Sequence, residues 1–230
     1  MAEDIGGVWR TIGGRRVFIK TGQGLAAAMK QSGKFKVKRK KDDIDKYEES
    51  KEKFDKYKKD MQTARTKFYE ELGYDGKPEV VSEEEFEKMA KGQTIITRST
   101  NEERYKNLVS GKYEVSTPEN SMYGTGIYFA YAEEDIAYYR GLSNNNKVFD
   151  AIVKKDAKMI DSRELNAIKD KIKSKVTNRQ ELDYMIWADD GLFASMLGYD
   201  GVWIDNVKYA LVMNRGKLVI NKEGMLKNRK

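Results

Sequence analysis

Met122–Ala130 reads M-Y-G-T-G-I-Y-F-A, and it follows an apolar run that carries an arginine, Thr94–Thr100, T-I-I-T-R-S-T. A strand bearing a polar group, then a glycine-laced turn into a second strand with a tyrosine, is a way to hold a nicotinamide. Glycine lets backbone approach a flat ring closely, and an aromatic side chain stacks on it. If the stretch holds a nicotinamide in this way, the protein is expected to split NAD at its glycosidic bond and transfer ADP-ribose. The pattern G-x-G-x-Y alone also describes an ordinary turn before a strand. The 230 residues contain neither His nor Cys. That excludes a Ser-His-Asp triad, thiolate chemistry, disulfides and most zinc sites. A carboxylate metal site is left open by the composition, but no pattern points to one.

The elements that must position these residues fall into three segments: 1–33, 34–77 and 78–230. Val8–Lys20, V-W-R-T-I-G-G-R-R-V-F-I-K, predicts a β-hairpin turning at Gly13–Gly14, with Trp9 opposite Phe18 and Val8 opposite Ile19. A short helix over Gly24–Gln31 comes after it. Next is a basic block, Lys34–Lys41, K-F-K-V-K-R-K-K. Residues 1–41 hold 11 Lys/Arg against 2 Asp/Glu, whereas residues 42–230 hold 33 against 35. The whole excess of positive charge, +7 for the chain, therefore sits at the front. Such a block suits nucleic acid or an acidic protein face, and it also makes a solvated tether. Asp42–Leu72 predicts one long helix, with Ile44, Tyr47, Phe54, Tyr57, Met61, Ala64, Phe68 and Leu72 at mostly three- and four-residue steps, a stripe interrupted by Lys51. Gly73–Pro78 marks the expected domain boundary.

Residues 79–230 read as mixed α+β. Ser82–Glu85 has the form of a capping box for a helix ending near Ala90. Strands are expected at Thr94–Arg98, Gly126–Ala130, Val148–Lys154, Lys158–Ile160, Gly201–Asp205, Lys208–Met213 and Lys217–Ile220. Helices are expected at Glu102–Ser110, Glu133–Gly141, from Asp161 to about Lys175, and over Asn178–Leu197 with a break near Gly191. Strand and helix do not alternate at the end of the chain, which argues against a doubly wound parallel sheet. The expected architecture is a pair of packed, mostly antiparallel sheets with surrounding helices. The start, MAEDIGGVWR, carries no apolar leader, and no run approaches membrane-spanning length. A cytosolic protein without membrane contact is expected.

Residues from about Pro78 to Asn221 resemble the mono-ADP-ribosyltransferase domains of phage minor head proteins and related phage effectors. The resemblance runs in order through Pro78–Phe86, Ile96–Ser99, Met122–Ala130, Val148–Asp161, Leu197–Asp200 and Tyr209–Ile220. The front hairpin is also similar to a segment of phage head-associated proteins. The resemblance implies an ADP-ribosyltransferase-like fold with NAD as substrate. It implies that Arg98 binds the pyrophosphate or nicotinamide ribose, as a guanidinium suits. Ser99 and Thr100 would hydrogen-bond the amide or ribose, Gly124 and Gly126 would let backbone approach the nicotinamide, and Tyr128 would stack on it. Tyr123 and Tyr131 are alternatives to Tyr128. Related polymerase-like members use His where this chain has Arg98.

The acid departs from the pattern. The reaction needs a carboxylate near the nicotinamide ribose to orient a hydroxyl and stabilise an oxocarbenium-like transition state. Related transferases often place Glu before the strand that corresponds to Tyr209–Met213, and here Lys208 stands there. Asp205 is the best substitute; Asp189, Asp190 and Asp200 sit where helix ends are expected. The resemblance implies an acceptor that is a host protein or nucleic acid, and a place in the host cytoplasm or in the virion. Residues 1–41 would dock a phage or host protein, or nucleic acid through Lys34–Lys41. The alternative is a transferase-like scaffold without the reaction, serving as a phage binding or virion structural protein.

Overall fold

A computed structural model describes residues 7–12, 15–20, 41–57, 60–112, 123–141, 147–175 and 184–227. The chain divides into two units, Met1–Lys41 and Asp42–Lys230. In the first, strands β1 (Gly7–Ile12) and β2 (Arg15–Lys20) pair antiparallel, with Trp9 opposite Phe18 and Val8 opposite Ile19 as the sequence predicts. The Gly13–Gly14 turn, the helix expected at Gly24–Gln31 and the basic block up to Lys40 lie outside the described residues.

The second unit opens with two helices, α1 (Asp43–Asp55) and α2 (Met61–Glu71), where the sequence predicts one. The break has a local cause. Asp60 caps α2, its carboxylate accepting the Gln62 and Thr63 amides at 3.3 and 2.9 Å. The two helices meet through Phe54 and Phe68, edge to face with centroids 5.9 Å apart. Both pack against the C-terminal part of the chain: Tyr47 lies 5.3 Å from Phe193, and the Ser50 hydroxyl donates to the Met196 carbonyl at 2.8 Å. Tyr47, Phe54, Phe68 and Tyr69 share one buried cluster with Phe193, Val202 and Leu211. The Gly73–Pro78 segment is therefore a connection within one core.

After it come β3 (Glu79–Val81), α3 (Glu83–Ala90), β4 (Ile96–Thr100), α4 (Glu102–Ser110), β5 (Ile127–Ala130), α5 (Glu133–Gly141) and β6 (Lys147–Val153). The remaining elements are β7 (Met159–Asp161), α6 (Ser162–Lys173), α7 (Tyr184–Ala188), α8 (Asp190–Met196), β8 (Gly201–Ile204), β9 (Tyr209–Val212) and β10 (Leu218–Asn221). Polar residues cap the helix starts: Ser82 on α3, Asn101 on α4, Asp161 on α6 and Asp189 on α8. Asp189, rather than Gly191, separates α7 from α8.

The unit is mixed α+β, as expected, but its strands form one eight-stranded sheet rather than a pair of packed sheets. The strand order is β3-β10-β6-β4-β5-β9-β8-β7. The outer joints, β3 to β10 and β7 to β8, are parallel and the rest antiparallel. The sheet has two four-stranded halves joined through a single residue pair, Thr97 of β4 with Ala130 of β5. Alternation along the strands sends Ile96, Ile127, Phe129, Phe149 and Ala210 to one face, where Tyr105 and Leu108 of α4 cover part of it. The opposite face is covered by α3 over one half and by α1, α2, α6 and α8 over the other.

Candidate active site

Arg98 stands in the middle of β4, one residue past the joint between the two halves. Thr97 pairs with Ala130, and beyond that pair β4 and β5 share no further ladder partners. The Tyr128 carbonyl is taken up there by Arg98, whose Nη1 donates to it at 2.7 Å. A charged donor is a strong hydrogen-bond partner for a backbone carbonyl. Arg98 thus spans the seam and remains half-buried.

The two side chains leave by opposite faces. Arg98 lies in register with Phe149 and on the side of Ile96, whereas Tyr128 packs into the helix-covered core beside Leu211. The Tyr128 hydroxyl is engaged there: it donates to the Gly124 carbonyl at 2.8 Å and accepts the Tyr123 amide at 2.9 Å. Tyr128 closes the turn that precedes its own strand. Ser99 follows the strand alternation away from Arg98, onto the face of Thr97, and Thr100 is buried. The glycines of the turn are matched to protein atoms. At Gly124, with φ +90°, a Cβ would sit 2.2 Å from Asp189 Oδ1, and at Gly126 one would sit 2.5 Å from Leu211 Cδ1.

Of Tyr123, Tyr128 and Tyr131, it is Tyr131 that shares a face with Arg98. It continues β5, its amide donating to the Lys208 carbonyl at 2.9 Å, and its ring packs with the Phe129 cluster. Trp203 of β8 meets it edge-on, with centroids 5.5 Å apart. The Tyr131 hydroxyl donates to Asp205 Oδ1 at 2.7 Å, which draws the carboxylate at the β8–β9 turn to this face. That hydrogen bond holds the Asp205 carboxyl below the usual carboxylate range, and the cations of Lys208 and Arg163 act in the same direction. Asp205 is exposed and ionised at neutral pH, a hydrogen-bond acceptor and a negative charge rather than a proton donor. Burial pushes the Tyr131 hydroxyl up, with the Asp205 hydrogen bond adding to it, so it stays a donor. Lys208 holds the turn with φ +54° and places its ammonium 5.8 Å from the Tyr131 ring centroid.

The other carboxylates weighed for the acid are committed elsewhere. Asp189 is fully buried and accepts from Thr125 and Leu192. Asp190 pairs with Lys169. Asp200 accepts the Lys158 amide at 2.8 Å and Asn214 Nδ2 at 2.7 Å. Among the described residues, no group of three acidic side chains is placed to hold a metal ion.

Arg98, Tyr131, Trp203 and Asp205 therefore line one face across four adjacent strands, β4, β5, β9 and β8. Three strand spacings of about 4.8 Å separate β4 from β8. Arg98 and Asp205 would engage different parts of one extended ligand, the cation meeting an anionic group and the carboxylate meeting hydroxyls or developing positive charge. Sequence reasoning did not single out Trp203, nor the link from Tyr131 to Asp205. The two-residue steps from Phe129 to Tyr131 and from Trp203 to Asp205 were the available signal within each segment, but only the register, with Phe129 and Trp203 both opposite Ala210, puts the two segments on one face. Comparison of the chain with protein-family models, with curated proteins and with solved structures gives no match.

Proposed function

We propose that this chain is a phage-derived mono-ADP-ribosyltransferase that uses NAD to modify a host macromolecule, on an ADP-ribosyltransferase-like fold. The observation that carries the reading is the shared sheet face of Arg98, Tyr131, Trp203 and Asp205. Arg98, one of whose Nη1 hydrogens is held by the Tyr128 carbonyl, would turn its guanidinium charge and remaining donors to the pyrophosphate or the nicotinamide ribose. The Tyr131 and Trp203 rings offer an aromatic wall for the nicotinamide. Asp205, ionised and oriented by Tyr131, would accept a ribose hydroxyl and stabilise the oxocarbenium-like charge as it develops. The bond from ribose C1′ to nicotinamide nitrogen breaks, and nicotinamide leaves with the bonding pair. An acceptor oxygen or nitrogen then bonds to C1′ and releases its proton to solvent. Tyr128 supports the site from behind through its carbonyl and the turn it closes.

Intact and peptide mass spectrometry of host lysate and of the protein, after incubation with NAD, tests the proposal. An ADP-ribose adduct is expected that is lost in Arg98→Ala. No adduct on protein, DNA or RNA would overturn it. The second reading, a transferase-like scaffold acting as a phage binding or virion protein, is favoured by Lys208, which stands where the resembling transferases place Glu. It predicts a stable complex formed without NAD.

A further inference from the structure

Behind the candidate site lies a buried ion pair that the proposed reaction does not use. Arg65 of α2 is 3% exposed and Asp189, between α7 and α8, is 0% exposed. Arg65 Nε stands 3.4 Å from Asp189 Oδ2. The same carboxylate accepts the Thr125 amide at 2.7 Å, the Thr125 hydroxyl at 2.5 Å and the Leu192 amide at 2.9 Å. The backbone closes tightly around it. A Cβ at Gly124 would strike Asp189, and one at Gly191 would sit 1.8 Å from the Thr125 carbonyl. A fully buried carboxylate is costly unless its charge and lone pairs are met. Here one carboxylate gathers α2, the turn at 123–126 and the start of α8.

The contacts run onward without a gap. Asp189 fixes Thr125; the Gly124 carbonyl and the Tyr123 amide on the same turn hold the Tyr128 hydroxyl; the Tyr128 carbonyl receives Arg98. An apolar pair would fill this part of the core at less cost, since Nε and Nη2 of Arg65 are both buried without a hydrogen-bond partner among the described residues and the contact with Asp189 is one of charge alone. Packing alone does not account for the pair. We propose that Arg65 and Asp189 are positioning residues: the buried pair fixes the Tyr123–Gly126 turn and, through Tyr128, the guanidinium of Arg98. The consequence for NAD rests on the transferase reading; the consequence for Arg98 does not.

The test uses the full chain and two variants. Asp189→Asn keeps the shape and removes the charge. Arg65→Met combined with Asp189→Asn also removes the unpaired cation that the single variant leaves, which restores stability if the role is only structural. Side-chain nitrogen NMR reads the rotation of the Arg98 guanidinium, amide hydrogen exchange reads Thr125, and calorimetry reads NAD affinity. Exchange at Thr125 about tenfold faster, freer rotation of Arg98, and about tenfold weaker NAD binding are expected in both variants, with no matching change at β10. Wild-type rotation of Arg98 in a folded Asp189→Asn variant, or in the folded double variant, would overturn the proposal. Faster rotation with unchanged NAD affinity would overturn the step from positioning to ligand. A wild-type protein that binds no NAD would overturn the transferase reading, while the Arg98 signal would still decide the positioning role.

Discussion

Tyr131 and Asp205 set each other's protonation, and the effect can be read at single atoms. The Tyr131 hydroxyl donates to Asp205, lowering the carboxyl's proton affinity, with Lys208 next among the attractive charges. A folded-state value below the unfolded one stabilises the fold above the unfolded carboxyl's range, and the effect is lost as pH falls through the folded value. Tyr131→Phe removes the donor and leaves the ring. The Asp205 carboxyl then titrates at higher pH, and the acid limb of the proposed NAD-dependent activity moves to correspondingly higher pH. A carboxyl NMR titration beside a pH–rate profile checks both, and an unmoved titration would show that Tyr131 does not control the group. At the opposite face Gly124 is constrained twice, by φ +90° and by Asp189 at 2.2 Å from a would-be Cβ. Gly124→Ala combines left-handed strain with overpacking and is expected to lower unfolding free energy by about 2–4 kcal/mol. Urea denaturation measures it, and a loss of only a few tenths would mean that the turn yields freely.

The elements show where periodicity speaks and where it stops. The apolar stripe from Ile44 to Leu72 keeps its three- and four-residue steps through Tyr57 and Met61, so it reads as one helix, yet the chain folds back there. The deciding residue is Asp60, whose carboxylate caps α2 and so competes with continued helix. Helix existence, the strand positions and the hairpin register were legible because alternation and turn chemistry are local. The single pair joining β4 to β5, the side that Tyr128 takes, and the depth of Asp189 depend on partners far along the chain and were not. Short β3 was missed for the same reason, since only its pairing with β10 defines it. Phe68, fully buried against Phe54, probes the helical pair. Phe68→Ala is expected to cost about 3–5 kcal/mol. Because its cluster includes Phe193, Val202 and Leu211, the loss should appear at the β8–β9 strands as well as at α1 and α2. Site-resolved hydrogen exchange checks that, and destabilisation confined to residues 42–72 would show that the helices are an independent layer.

At the scale of the whole molecule, charge and chemistry lie in different units. Residues 1–41 carry 11 basic side chains against 2 acidic ones, and residues 42–230 carry 33 against 35. The candidate site belongs entirely to the second unit, which is compact in itself and whose buried core includes α1 and α2. A chain beginning at Asp42 should therefore fold and, on the proposed transferase reading, bind NAD as the full chain does. It should lose any binding to a polyanion, because its net charge falls from +7 to −2 and the basic block is gone. For nucleic acid the full chain's binding should weaken steeply between low and physiological salt, because the gain from releasing counterions shrinks as salt rises. Titrating both chains with the same single-stranded oligonucleotide across a salt series separates the units. Tight binding by the shorter chain would place the nucleic-acid surface on the mixed sheet and its helices. Equal, salt-insensitive binding by both would remove the front of the chain as an electrostatic dock. A chain beginning at Pro78 is expected to fail for a different reason: it lacks Tyr47, Phe54, Phe68 and Tyr69 of the shared core, and it lacks Arg65, leaving Asp189 buried without its cation.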